Sequence, residues 1–353
     1  MENWDGLWQE YGLEKLKEGL RTLFPDTGIS AEDMLEKLMS GDVAGALGYF
    51  FQGTISGMAD SFQGMKNILV WLVVLGVVSA LVTHFVEIFD RHQVAELGFY
   101  FMYLLQAAIL LKCFSQVMQT AVGSMEEIVL FVKLLVPTYL VAVGVASGSA
   151  TVSANYQLVL ILIYIVESIL TGFLLPMIYT YMMLAILNGI FSEEKLTLLM
   201  EFLEKGIGWI LKAALGAVTG ISLFQAVITP AIDSVKSTAL QKAVSAIPGV
   251  GNAAEGIFEL AVGSAVIIKN SIGVFLLILL LGLCMAPLLK ILLMGILLKG
   301  AAALMGIVSD KRITACADHA GDAVMMLFRT VGTAMLLFLI CLSLVAAATN
   351  RGI

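Results

Sequence analysis

Along most of this chain the apolar positions are continuous, and runs of roughly 20 such residues are what a helix needs to cross the hydrocarbon core of a bilayer. The first run, 68–89, reads "ILVWLVVLGVVSALVTHFVEIF". A second, 97–114, opens on Phe99, Tyr100, Phe101 and Tyr103, aromatic residues suited to a membrane–water boundary. In "MEEIVLFVKLLVPTYLVAVGVASGSATVSAN", Glu126, Glu127 and Lys133 precede an apolar run interrupted by Pro137. A proline leaves one backbone carbonyl without its donor, which predicts a kink inside the bundle, where protein or water can satisfy it.

Residues 156–191 are apolar for too long a stretch to form one upright span. Gly172 and Pro176 predict a break there into two elements. Further spans are predicted at 207–229, interrupted by Lys212, at 271–298, with a helix break at Pro287 and Lys290 late in it, and at 325–348. The connections have their own patterns. "SEEKLTLLMEFLEKG" predicts an amphipathic surface helix with Ser192 as N-cap, Glu193 and Glu194 at the positive end of its dipole, and Gly206 as its stop. "SDKRITACADHAGD" reads as a polar connection before the last span.

The first 66 residues differ from everything after them. "ISAEDMLEKLMSGD" places Ser30 three residues before Asp33, as in a capping box, with Met34, Leu35 and Leu38 as an apolar face and Gly41 as a stop. The expected fold is all-α: a polytopic membrane bundle of six or seven transmembrane helices, some broken or re-entrant. An amphipathic helical region, 1–66, precedes the transmembrane domain, 67–353.

Composition supports that division. The chain is 59% hydrophobic and 13% charged, too few charges to cover a soluble surface, which normally carries about 25%. Eleven acids and five bases give 1–66 a net charge of −6 out of −7 for the whole chain, so the rest is nearly neutral. No basic patch suggests nucleic acid. The start, "MENWDGLWQEYGLEKLKEGL", has no continuous apolar segment of the signal-peptide kind.

No catalytic motif is present: there is no HExxH, GxSxG or GxxxxGK[ST]. Four scattered cysteines (Cys113, Cys284, Cys316, Cys341) read as buried thiols, and three scattered histidines do not suggest a metal site. No cofactor is expected. The glycines of "AIPGVGNAAEGIFELAVGSAVIIKN" (246–270) are spaced GxGxxxxG, which is not a dinucleotide fingerprint.

On a helix, Glu255, Glu259, Val262, Val266 and Lys269 share one stripe, while Gly256, Gly263 and Asn270 share another suited to close helix packing. The charged stripe, Glu255, Glu259 and Lys269 with Asn270 beside it, faces either an aqueous cavity or the membrane surface. Glu167 lies deep in its apolar segment, as a pore or ion-path residue or as half of an interhelical pair with a lysine. Lys212 and Lys290 carry the same alternatives and can also snorkel to the interface.

Several of these residues together carry a family resemblance. "IPGVG", then "VIIKNSIGV", then "MAPLLKILLMGILLKGAAALMGIV" resemble the C-terminal half of stage III sporulation protein AE, and "LVPTYLVAVGVASGSATVSA" resembles that family's proline-containing span and the loop after it. Ile247 and Pro248 with Gly251, Lys269 and Asn270 with Gly273, and Pro287 with Lys290 are the specific positions.

The resemblance implies a subunit of a channel or secretion-like complex linking mother cell and forespore, in the mother-cell membrane, that sustains late forespore development. The implied partners are other membrane proteins of the stage III sporulation A operon, ring-forming proteins, a cytosolic ATPase and, indirectly, a forespore-side Q protein. It also implies a cleavable signal sequence, and the first residues of this chain show no apolar segment of that kind. Two rival readings are a stand-alone secondary transporter of an ion or small solute and a structural membrane anchor for the rings. Broken helices paired across two related halves would favour the transporter, and that pairing is not seen.

Overall fold

A computed structural model describes residues 45, 48, 67, 70–78, 81, 92–147, 161, 164–191, 195–244, 251–307 and 309–350, with side chains beyond residue 91 described for 96–134, 161, 164–191, 195–220, 274, 276–307 and 309–343. No strand occurs among them. The helices are α1 (His92–Ser147), α2 (Leu175–Ile190, entered through a π-helical turn, Leu170–Leu174), α3 (Thr197–Val244), α4 (Gly251–Met305) and α5 (Lys311–Asn350). Four segments are long and apolar enough to cross a membrane: Glu96–Leu134, Tyr164–Ile190, Leu276–Met305 and Lys311–Ser343. Of the other predicted spans, 68–89 is described only at 70–78 and 81, and 207–229 is part of α3.

α4 and α5 form the tightest pair, and α1, α2 and α3 pack around them. The register follows from side-chain contacts. Gly295 of α4 lies against Met325 of α5, and Gly332 lies near Leu288, so the two helices are antiparallel. Cys113 Sγ of α1 meets Met294 Sδ at 3.4 Å, while Gln106 Nε2 donates to the Ile313 carbonyl of α5 at 2.9 Å. Small residues make the close approach possible. Ala301, Ala302, Ala317, Ala320 and Ala323 are fully or almost fully buried along α4 and α5, the substitution pattern that lets backbones approach within a membrane. Tyr103, Phe114, Phe131, Tyr181 and Phe338 fill the remaining core.

Local signals that predicted breaks are overridden in three places. At Pro176 the chain stays helical from 164 to 190. The ring has no N–H and crowds the carbonyl four residues back, and the turn before it widens, with the Leu175 N–H bonding Leu170 O in π fashion. Thr171 Oγ1 donates to Glu167 O, and Thr180 Oγ1 donates to Pro176 O at 2.8 Å. α4 likewise runs through Pro287, and Gly206 does not stop α3. An opened backbone in a bilayer leaves polar groups that nothing satisfies, a larger penalty than the preference of one glycine or proline.

The polar stretch 309–322 is also helical for most of its length. The true connection between α4 and α5 is short: the Gly306 N–H donates to Ala302 O at 2.8 Å and the Ser309 N–H to Met305 O at 2.7 Å. Asp310 then caps α5, its Oδ1 accepting the Arg312 N–H at 2.8 Å. Ile313, Cys316, Ala317, Ala320, Val324 and Leu327 are buried at helical spacing, so the charges of this stretch occupy the other face of a packed helix.

Candidate functional site

The charged residues of the spans form two groups. The first lies toward the α4–α5 connection. Lys299 Nζ is 2.9 Å from Asp318 Oδ1 and 2.7 Å from Asp322 Oδ1, one cation between carboxylates four residues apart on α5. The lysine reaches them because Gly321 leaves room for its stem; a Cβ there would meet Lys299 Cγ at 2.7 Å. Asp322 Oδ2 lies 3.8 Å from His319 Nδ1, and the same nitrogen is 3.2 Å from Tyr181 Oη of α2, with the two rings edge-on at 6.3 Å. Glu204 of α3 lies within electrostatic reach of Tyr181. Four helices therefore meet at one polar network.

The same end of the bundle holds three further contacts. Tyr103 Oη, fully buried, donates to Ile186 O at 2.6 Å. The Arg312 guanidinium lies 3.7 Å above the Phe99 ring. Asn188, buried at the end of α2, accepts the Leu196 N–H at 2.8 Å and donates to Thr197 Oγ1 at 3.3 Å, so it caps α3 from across the turn.

The second group lies nearer the other end of the spans. Lys133 Nζ of α1 is 3.1 Å from Glu167 Oε2, with both side chains partly exposed, and Glu127 of α1 lies within electrostatic reach of Lys290. A lone charge in mid-membrane costs about 2.5–3.5 kcal/mol on insertion scales, and a partner of opposite sign reduces that penalty.

These placements bear unevenly on the residues selected by sequence. Glu167 sits in an interhelical ion pair, Lys290 is half-buried beside Glu127, and Lys212 is exposed on α3. Pro137 lies within α1, and Glu255, Gly256, Glu259, Gly263, Lys269 and Asn270 lie within α4, but their side chains fall outside the described residues. The Ser192 cap with Glu193 and Glu194 also falls outside them.

Sequence reasoning passed over the network of Lys299, Asp318, His319, Asp322 and Tyr181. Its signal was the i, i+4 spacing of Asp318 and Asp322 within a helical pattern of small residues. Among the described residues no three His, Cys, Asp or Glu side chains could share a metal ion, and the four cysteines are free and buried. Within these groups the geometry is that of cations neutralised by carboxylates between helices.

Comparison with known proteins gives a consistent picture. The model of a family described as "Stage III sporulation protein AE" matches residues 29–349. A protein of Bacillus subtilis (strain 168) bearing that same name is 19% identical over 354 residues, covering 99% of this chain and 85% of the relative. No solved structure matches.

Proposed function

The chain belongs to the stage III sporulation protein AE family, and from that membership we propose that it is a multi-pass subunit of the channel or secretion-like complex linking mother cell and forespore. On this reading it resides in the mother-cell membrane, acts as scaffold or conduit and not as an enzyme, and is required for late forespore development.

The observation that supports it most directly is the way the charged groups of the spans are used. Lys133 with Glu167, and Lys299 with Asp318 and Asp322, bind helices to one another around a continuous apolar core, as befits a body embedded in lipid that keeps its shape. The acidic 1–66 region would then be a separate helical appendage to the 67–353 membrane domain. Its partners would be the other membrane proteins of the A operon, the ring-forming proteins and the cytosolic ATPase, with the Q protein reached indirectly.

The test is affinity purification of the tagged full chain from sporulating cells in mild detergent, together with deletion of its gene. Co-purification of those partners and arrest of forespore development are expected. A chain that purifies alone from cells whose deletion strain forms spores at normal yield would refute the proposal.

A further inference from the structure

The outer face of α1 changes character along its length. Toward its start the exposed residues are apolar: Leu97, Phe101, Leu104 and Leu105. Further on, the same helical stripe continues as Lys112, Gln116, Gln119, Glu126, Glu127 and Lys133, all exposed, with Leu130 the one large apolar side chain exposed among them. Steps of four, three, seven, one and six residues keep these positions on one side of a helix. From Lys112 to Lys133 the rise is about 32 Å, comparable to the roughly 30 Å hydrocarbon core of a bilayer.

The packing register decides where this polar stripe lies. Cys113 is beside Met294, Glu127 lies within electrostatic reach of Lys290 and Cys284, and Lys133 is paired with Glu167. From Lys112 to Glu127 the stripe therefore runs level with the central part of Leu276–Met305, the most apolar of the four spans at mean hydropathy 2.6, and Lys133 lies toward the span ends; its own span has the lowest value, 1.6. At the same depth, between Glu167 and Tyr179, whose ring lies 6.2 Å from that of Phe114, the neighbouring segment exposes Ser168, Gly172, Phe173 and Pro176, with Phe173 the one large side chain among them. One side of the bundle is thus apolar at mid-membrane depth, and another side is polar and charged.

We propose that this face of α1 borders a water-filled passage within the membrane, whose other walls are the same face of further copies of this chain. The proposal rests on the conduit reading above and deepens it. Copies related by rotation about the membrane normal place like residues at one level, Glu126 opposite Glu126 and Lys112 opposite Lys112. Like charges in a dry contact repel strongly, but across water they do not, so this face suits a lumen better than a sealed interface. The stripe and its partners comprise three bases (Lys112, Lys133, Lys290) and three acids (Glu126, Glu127, Glu167), which cancel. A passage so lined suits hydrophilic solutes of either charge.

Cysteine accessibility tests this on the full chain in native membranes. All four native cysteines are buried, which keeps the background low. Gln116→Cys, Gln119→Cys and Phe173→Cys are each treated with a membrane-impermeant cationic or anionic thiosulfonate. The thiolate that reacts forms only where water solvates it, so the two α1 positions should label at least about tenfold faster than Phe173→Cys, with either reagent. A bifunctional thiol crosslinker should also join Gln119→Cys copies into dimers. Ser115→Cys, a near-isosteric change at an exposed neighbour on α1, serves if a glutamine variant fails to accumulate.

Labelling no faster than at Phe173→Cys would mean that the stripe faces lipid. Labelling only after detergent extraction would mean that another protein covers it. Labelling without crosslinked dimers would mean that another chain forms the walls. Each result overturns the proposal. Slow labelling in cells whose deletion strain is blocked in sporulation removes the passage and leaves the subunit reading standing. Fast labelling with normal spores from the deletion strain does the reverse.

Discussion

Gly189→Ala is the sharpest test of how α1 and α2 are held together. A Cβ at Gly189 would run into Tyr103, whose Oη is closest, with Cζ at 2.7 Å and Cε2 at 2.8 Å. The tyrosine cannot swing aside. It is fully buried, the Phe99 ring stacks on it at 5.8 Å, and its hydroxyl is bound to Ile186 O at 2.6 Å. Overpacking a filled core costs about 1–3 kcal/mol. Losing the tyrosine hydrogen bond adds about 0.5–1.5 kcal/mol, while replacing a helical glycine by alanine returns at most about 1 kcal/mol. The expected net destabilisation is about 1–3 kcal/mol.

Unfolding of the full chain in mixed detergent and SDS micelles, followed by helical circular dichroism, measures it. The decisive comparison is a Tyr103→Leu background, which removes the ring that the new methyl would strike. There Gly189→Ala should be neutral or slightly stabilising, a coupling between the two sites of about 1–3 kcal/mol. Equal effects in both backgrounds, or stabilisation in the native one, would refute the argument.

Three further outcomes follow from the same contacts. Asn188→Ala should cost about 0.5–2 kcal/mol, the value of a helix cap, and should increase proteolysis at the α2–α3 turn. Gln106→Leu should be close to neutral in the same SDS titration. Its Nε2 bond to Ile313 O is lost, at about 0.5–1.5 kcal/mol, but its Oε1, buried without a partner, ceases to carry a comparable penalty. Lys299→Met keeps the stem across Gly321 and removes the charge between Asp318 and Asp322. Because these side chains are 29–48% exposed, a loss of only about 1 kcal/mol is expected, shrinking as salt is raised.

What the sequence determined by itself was the class of molecule. Insertion into a bilayer depends largely on the summed apolarity of about 20 neighbouring residues, and that sum is local, so the helical membrane character was legible without any contact. Helix ends were misread at Gly206, Pro176 and 309–322 because local signals worth about 1–3 kcal/mol compete with the larger penalty of unsatisfied backbone in lipid.

Which charges meet was decided only by the tertiary structure. Lys133 and Glu167 are 34 positions apart, and Gln106 and Ile313 are 207 apart. Their meeting depends on the register with which α1 packs against the other helices, and packing of small and large side chains over the whole length of the helices sets that register. The same register places the polar stretch from Lys112 to Glu127 beside the most apolar span, a juxtaposition that periodicity within α1 could not reveal.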